Sequence, residues 1–528
     1  MEHLGEIIMK KTIIAISVFI AMSGMAARAQ EINNMVLLED NFRNSLWFNT
    51  NNSAALNFHP LTMYSNLGAT YNGKYGGWHH QQEAATSNQV SVETDGAARV
   101  GKFLFWGDFA FRNIFDGRVN YNAMTYDVPE DMPYFVADKT PSRWNRQEYD
   151  MRTKISTPVI WDHLTFGAEV SYLSRVGAKQ KDPRVETYSY DVRVLPSVFV
   201  QVSDDFCVGL SGQYENAFER GEPSNVNYRQ DQPVWLSRGL GYAQETTVGG
   251  NAGLKTMYYE TDLYGGALQA GYDGDYKLVT ELEYNFRKIK AKQQPSLPRA
   301  MGNTESDMLK WHLQILLGST LADKIDLTWN YRETAGLEVV QILNQELNNQ
   351  RWEEVVTNHM SNFKRISWDA SYDHQFGKDE KGFDWDAGAK IRYDYENDVY
   401  FLPFTRWNWS SLLSEIFIAK QIKLHNGSWL LKAALGYGAN IDARYEGFDA
   451  SEGSNIQELY RGDMTYMSDD YLKAGARIAY TLNRKKVNYK FDLSALYFNT
   501  VGDSNYDDAS ILVGDKRLLT AFTFGIIF

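Results

Sequence analysis

The chain has 528 residues, enough for several soluble domains or one large barrel. Its formal charge of −13 is spread without a basic stripe, which excludes nucleic acid as a partner. A single cysteine, Cys207, excludes an internal disulfide framework and a cysteine-based zinc site. The mean hydropathy of −0.44 is that of a soluble protein. The aromatic content is not: 33 Tyr, 27 Phe and 14 Trp accompany only 12 Pro. A transmembrane β-barrel reconciles the two, because an apolar, aromatic-girdled exterior is averaged with a polar lumen.

The N-terminus reads as an export signal. Met9-Lys10-Lys11 forms a basic start, and an apolar stretch runs from Ile13 to about Met25. Ala27-Arg28-Ala29 then precedes Gln30, placing small residues where signal peptidase requires them. The apolar stretch is short for a spanning helix, which needs ~20 residues. Residues 1–29 are therefore expected to be a signal peptide cut between Ala29 and Gln30. Residues 30–56, polar with an apolar cluster at Met35–Leu38, read as an N-terminal periplasmic or lumen-inserted segment. They are too few for a separate plug domain, and 57–528 is left for the barrel.

From about Leu61 the period is two. In 103–112, Phe103, Phe105, Phe109 and Phe111 share a face opposite Leu104, Trp106, Asp108 and Arg112. The same alternation marks 164–172, 206–215 and 487–497. It is longest at 383–396, where Phe383, Trp385, Ala387, Ala389, Ile391, Tyr393 and Tyr395 alternate with charged residues. Runs of about ten to fifteen residues exceed the usual five or six of soluble sheets, and no helical stretch interrupts them. Tight turns are expected at 115–117, 204–205, 273–275, 322–324, 425–427 and 483–486. Long connections are expected at about 128–145, 221–252, 292–303, 444–467 and 501–511. Short turns at one end and long loops at the other are the outer-membrane pattern. The expected fold is all-β: a transmembrane antiparallel barrel of about 18 strands, within a range of roughly 16–20.

The final segment places Phe522, Phe524, Ile526 and Phe528 on one face. A terminal Phe closing an alternating strand resembles the assembly signal read by the barrel assembly machinery, so Phe522, Phe524 and Phe528 are its candidate residues. Opposite the lipid-facing rows lie the candidate lumen charges Glu281, Glu283, Asp384, Asp386, Lys390, Arg392, Asp394, Glu396 and Arg477. Two readings stand for them. They line a pore that selects solutes by charge, or they form an ion-pair network that fills the interior. An unplugged barrel of this size leaves an aqueous channel.

Three stretches carry a family resemblance: Phe105-Trp106-Gly107-Asp108-Phe109-Ala110-Phe111-Arg112-Asn113, Met132-Pro133-Tyr134-Phe135-Val136-Ala137-Asp138 and Glu148-Tyr149. Together they resemble an uncharacterised outer-membrane barrel family of Bacteroidota. Members are often encoded beside a TonB-dependent receptor and a surface lipoprotein, which implies a role accessory to uptake or secretion and such proteins as partners. The family supplies no catalytic or binding residues.

Chemistry is sparse. His79-His80 is the one histidine pair, and adjacent strand residues point to opposite faces, so they chelate poorly. No serine, histidine and acid spacing marks a hydrolase, and no glycine-rich phosphate loop opens a helix. No cofactor, no metal and no enzymatic activity are expected. The expected function is an outer-membrane channel or accessory transport barrel for small solutes, embedded in outer-membrane lipid with both termini periplasmic. The alternative is a structural or partner-binding barrel; an outer-membrane hydrolase ranks below both. N-terminal sequencing of the protein from fractionated membranes is expected to begin at Gln30 in the outer-membrane fraction. An uncut N-terminus in the inner membrane would overturn the reading.

Overall fold

The computed structural model describes residues 35–59, 63–227, 229–248, 253–294, 296–345, 350–449, 455–484, 487–502, 504–506, 508, 511 and 513–527. Ala27, Ala29, Gln30 and Phe528 lie outside the described residues.

Eighteen strands close into one antiparallel barrel. In chain order they are β1 (Tyr64–Tyr75), β2 (Thr86–Val100), β3 (Phe103–Val119), β5 (Ser142–Ser156), β6 (Leu164–Lys179), β7 (Arg184–Gln201), β8 (Phe206–Ser224), β11 (Met257–Asp273), β12 (Lys277–Gln293), β13 (Arg299–Leu317), β14 (Asp323–Asn344), β15 (Arg351–Phe376), β16 (Trp385–Phe401), β17 (Phe404–Leu424), β18 (Gly427–Glu446), β19 (Asp470–Asn483), β20 (Asn488–Val501) and β21 (Lys516–Ile527). Each strand pairs with its neighbour in the chain order just given. Closure comes from β1 against β21, in register from Asn66↔Ile527 to Tyr75↔Leu518. Three short strands, β4 (Val136–Ala137), β9 (Gln232–Gly239) and β10 (Tyr242–Val248), form a second sheet within the loops. Among the described residues two α-helices stand apart from the wall strands, α1 (Met35–Asn44) and α2 (Gln457–Met467).

The wall obeys the period of two. Phe166, Val170, Leu210, Tyr214, Leu268, Leu282, Ile391, Ile416, Leu435, Leu493, Phe522 and Phe524 are exposed on the outside. Leu104, Trp106, Cys207, Ser211, Glu215 and Glu281 are buried within. Apolar side chains left bare around a closed, fully paired sheet are what lipid requires. The hydrocarbon offers no partner to an unpaired N–H or C=O and no penalty to an exposed Leu. No described helix is long and apolar enough to cross a membrane.

The two ends differ in their connections, although the loop end also has the two-residue turn 402–403. One end carries short turns, such as 101–102, 202–205, 274–276 and 425–426, and here β1 begins and β21 ends. Gly101 turns the chain in the left-handed region (φ +63°), where a side chain is disfavoured. The opposite end carries the long loops 120–141, 225–256, 447–469 and 502–515. The wall is uneven: β14 and β15 have 22 and 26 residues against 12 in β1 and β21.

Three expectations from the sequence are corrected. Phe115-Asp116-Gly117 is no turn; β3 runs through it to Val119, because inward Asp116 forms an ion pair with Arg146 of β5 at 2.8 Å. Residues 292–303 are mostly strand, since β12 and β13 extend past the membrane band and leave only 294–298 as a loop. Phe383 does not belong to the lipid-facing row of β16. It precedes the strand and is buried with Met35, Val36 and Leu38 of α1.

Two substitution pairs test the register. Arg at Ala387 or Ala389, on the outer face of β16, is expected to cost about 2–4 kcal/mol if mid-membrane, whereas Asp386→Ser assembles normally. Equal tolerance in heat-modifiable gel mobility would reject the assignment. In β21, Phe524→Asp is expected to deplete the outer-membrane fraction far more than Thr523→Asp, whose hydroxyl meets Thr70 at 2.9 Å. The reverse order would reject the face assigned to the closing strand.

Candidate functional site

The interior is filled from both ends. At the turn end, α1 and two 3₁₀ turns (Leu46–Asn49 and Ser53–Phe58) lie against inward-facing residues of many strands. The Met35 N–H donates to Thr481 Oγ1 at 3.3 Å on β19. Arg43 donates to Asp373 on β15 at 2.9 and 2.6 Å, and to the Leu321 and Ala322 carbonyls. Asn51 N–H donates to Glu281 on β12 at 2.8 Å, and Asn52 to Gln269 on β11 at 3.1 Å. The Ala54 carbonyl accepts from Ser156 and Thr165, on β5 and β6. Strand glycines make room: a Cβ on Gly167 would lie 2.2 Å from the Ala54 nitrogen. The helix covers an apolar inner ring that includes Leu104, Trp106, Ala419, Leu430 and Ile527.

At the loop end, the β3–β5 loop turns back into the barrel. Met124, Met132, Tyr134 and Val136 pack with Val234 and Leu236 of β9 and with Met257, Ile289 and Met301 of the wall. Tyr126 N–H donates to Glu219 at 2.5 Å, Tyr259 donates to the Tyr134 carbonyl at 3.1 Å, and buried Lys179 pairs with Asp138. On the other side α2 adds Met464 to a cluster with Leu240, Tyr400, Trp407 and Tyr445. It also covers the edge of β18 beyond Gly438, where pairing with β19 stops. There Trp409 and Asn440 donate to the Met467 carbonyl at 2.7 and 3.1 Å.

Between these two layers an interior cavity of about 470 Å³ borders β18–β21, β1 and β2. Lys74, Lys432, Arg477, Gln89 and Ser494 line it beside small residues such as Ala434, Gly475 and Ala521. Arg477 binds Asp492 and Glu39, both at 2.6 Å, Lys74 lies 3.7 Å from Glu83, and the Lys432 ammonium lies 4.0 Å from the centre of the Phe417 ring.

Most of the charges picked out by alternation are engaged. Glu281 also accepts from Gln269 at 2.8 Å, and Glu283 from Asn285 at 2.5 Å. Arg392 sits between Asp394 (2.7 Å) and Asp369 (3.9 Å). Glu396 accepts from Trp407 at 3.2 Å and faces Arg365 at 3.5 Å. Lys390 shares the Phe417 ring with Lys432, at 5.8 Å. Asp384 is at the turn-end rim, before β16, 3.5 Å from Lys423. One Asp386 oxygen is buried without a hydrogen-bond partner. Alternation missed a second set: Arg287, Arg332 and Arg365, and the loop acids Glu130 and Asp131 that meet them. The acids stand in a stretch with no strand period; the one sequence signal near them is the Met132–Asp138 motif.

His79 and His80 are in the loop between β1 and β2. His80 faces Asp463 of α2 at 3.4 Å. Burial alone would lower its pKa; the Asp463 carboxylate outweighs that and raises it. Among the described residues no group of three or more His, Cys, Asp or Glu is placed to hold a metal.

No curated protein matches the sequence. Solved structures to which this chain is similar include the copper transporter OprC (10% identity, 88% of this chain and 80% of that chain, TM-score 0.39). The outer membrane transporter YddB from Escherichia coli aligns at 8% identity over 88% and 80% of the two chains, TM-score 0.39. A mutant of the monoaromatic hydrocarbon channel TodX aligns at 12% identity over 90% and 92%, TM-score 0.30. A family model described as a family of unknown function (DUF6850) matches residues 53–528. This outer-membrane-type β-barrel belongs to that family.

Proposed function

We propose that the protein is a gated passage for small polar solutes across the outer membrane of a Gram-negative cell, with the turn end and both termini periplasmic and the long loops outside. The carrying observation is the charged interior cavity held between two layers that are joined to the wall by polar contacts. A purely structural barrel gains most from a dry, close-packed interior. Here an open space remains instead, bordered by Lys74, Lys432 and Arg477 among small residues, and basic side chains at its border suit polar or anionic solutes. The turn-end layer is one N-terminal segment and the other is built of loops. Either can move without breaking the closed wall, since the wall's hydrogen bonds are its own.

A second reading draws on the hairpin of β14 and β15. Its outer part leaves Val340, Ile342, Val355 and Val356 exposed, far beyond the ~9–11 residues a spanning strand needs. Bare aliphatic side chains on a projecting hairpin suit contact with another envelope protein, a TonB-dependent receptor or a surface lipoprotein being the kinds implied by the family resemblance. The two roles are compatible in one transport assembly.

Planar-bilayer recording tests the first reading. Wild-type protein is expected to conduct weakly and intermittently, and replacement of 122–137 by a short Gly-Ser linker to raise conductance several-fold. If both chains are folded by heat-modifiable mobility yet silent, the passage reading fails and the partner-binding one takes its place.

A further inference from the structure

The β3–β5 loop does more than fill space. Its tip carries Glu130 and Asp131 into a set of guanidinium groups on the inner wall. Arg332 of β14 and Arg365 of β15 are direct cross-strand partners. Like charges in that position repel, so an anion between them is a structural requirement. Asp131 supplies it: one carboxylate oxygen lies 2.7 Å from Arg332 Nε and the other 3.1 Å from Arg365 Nη2. Arg332 Nη1 donates to Glu130 at 2.8 Å. The Asp131 side chain is fully buried, and its backbone is held at φ +58°, a region that non-glycine residues rarely adopt. Burial acts to raise the Glu130 pKa; Arg332 outweighs it and holds the carboxyl below its ordinary value.

We propose that the ledge of Arg287, Arg332 and Arg365 is an oxyanion-binding site for the transported solute, and that Glu130 and Asp131 occupy it as a stand-in for the solute's carboxylate or phosphate group. Two further observations support this. Arg287, on β12, two strands from β14, has Nε and Nη2 buried with no hydrogen-bond partner, so donors remain that the loop does not satisfy. A buried guanidinium left this way is costly, and a larger oxyanion would engage it. The charge balance also depends on the loop. Arg365 keeps Glu396 at 3.5 Å and Asp398 at 2.8 Å when the loop leaves. Three guanidiniums then face two carboxylates instead of four, and the ledge changes from net acidic to net basic. The Glu130 side chain is 67% exposed, so this carboxylate stands at the edge of the ledge while Asp131 is buried beneath it. The loop's seat is shaped for docking: Pro133 and Tyr134 lie over Gly336 and Gly302, where a Cβ would approach them to 3.3 and 2.5 Å.

The inference rests on the passage reading for its biological sense but is tested by binding. Citrate and inorganic phosphate are titrated separately into the detergent-solubilised full barrel by calorimetry, which distinguishes a carboxylate from a phosphate preference. Removing the competing loop charges with Glu130→Gln and Asp131→Asn is expected to tighten one of the two anions about tenfold, because the competent state no longer has to be freed from an internal ligand. Adding Arg332→Ala is expected to abolish the gain. A double variant that binds both anions as the wild type does, or a gain that survives Arg332→Ala, overturns the proposal. Should the charge variants fail to fold, the otherwise native chain with buried Met132→Cys gives a second readout. The favoured anion is expected to speed maleimide labelling at that position several-fold, and no acceleration by either anion overturns the proposal. Anion binding in a barrel that never conducts would sink the passage reading alone; conduction without anion binding would sink the ledge alone.

Discussion

Lipid supplies no hydrogen-bond partner to a backbone, and from this constraint the rest of the molecule follows. A strand in hydrocarbon keeps every N–H and C=O paired or pays several kcal/mol for each one left open. The chain meets the demand by closing β1 on β21, which leaves no edge exposed to lipid. With every neighbouring pair antiparallel, closure calls for an even number of strands and puts the start of β1 and the end of β21 on the same side. So is the outer face: with the polar backbone hidden in the sheet, aliphatic and aromatic side chains such as Leu268 and Ile416 are free to meet the membrane.

Closure at eighteen strands creates a second problem, an interior wider than wall side chains can fill. The protein answers with its own chain. The N-terminal helix seals an apolar ring at the turn end, while the loops build a small sheet and a helix at the other. Inward positions are accordingly of three kinds: glycines that admit a plugging backbone, as at Gly167; apolar residues beneath a plug, as at Leu104; and charges that bind one, as at Arg332. The ion pairs hold the layers in one arrangement more than they add net stability, since desolvation offsets much of the attraction between buried charges.

The long wall strands and the loops act together. β14 and β15 are the longest wall strands and carry Arg332 and Arg365, which receive the β3–β5 loop, while α2 covers the edge left where β19 stops pairing with β18. The loop end is thus a folded structure in its own right, held to the wall by its polar contacts.

The sequence by itself determined the barrel. Alternation from Phe103 to Phe524 separates lipid from lumen because a strand's two faces meet two different solvents, and that signal is local and repeats every second residue. Alternation also picked out the charges of 386–396, among which Arg392 stands between Asp394 and Asp369. Local alternation has no access to what an inward residue touches. Asp116 resembles a turn residue until Arg146 is placed across from it, and Phe383 resembles a lipid-facing residue until α1 is packed against it. Glu130 and Asp131 stand in a stretch with no period at all. Their place was decided by arginines some two hundred residues further along the chain, which only the closure of the barrel brings beside them.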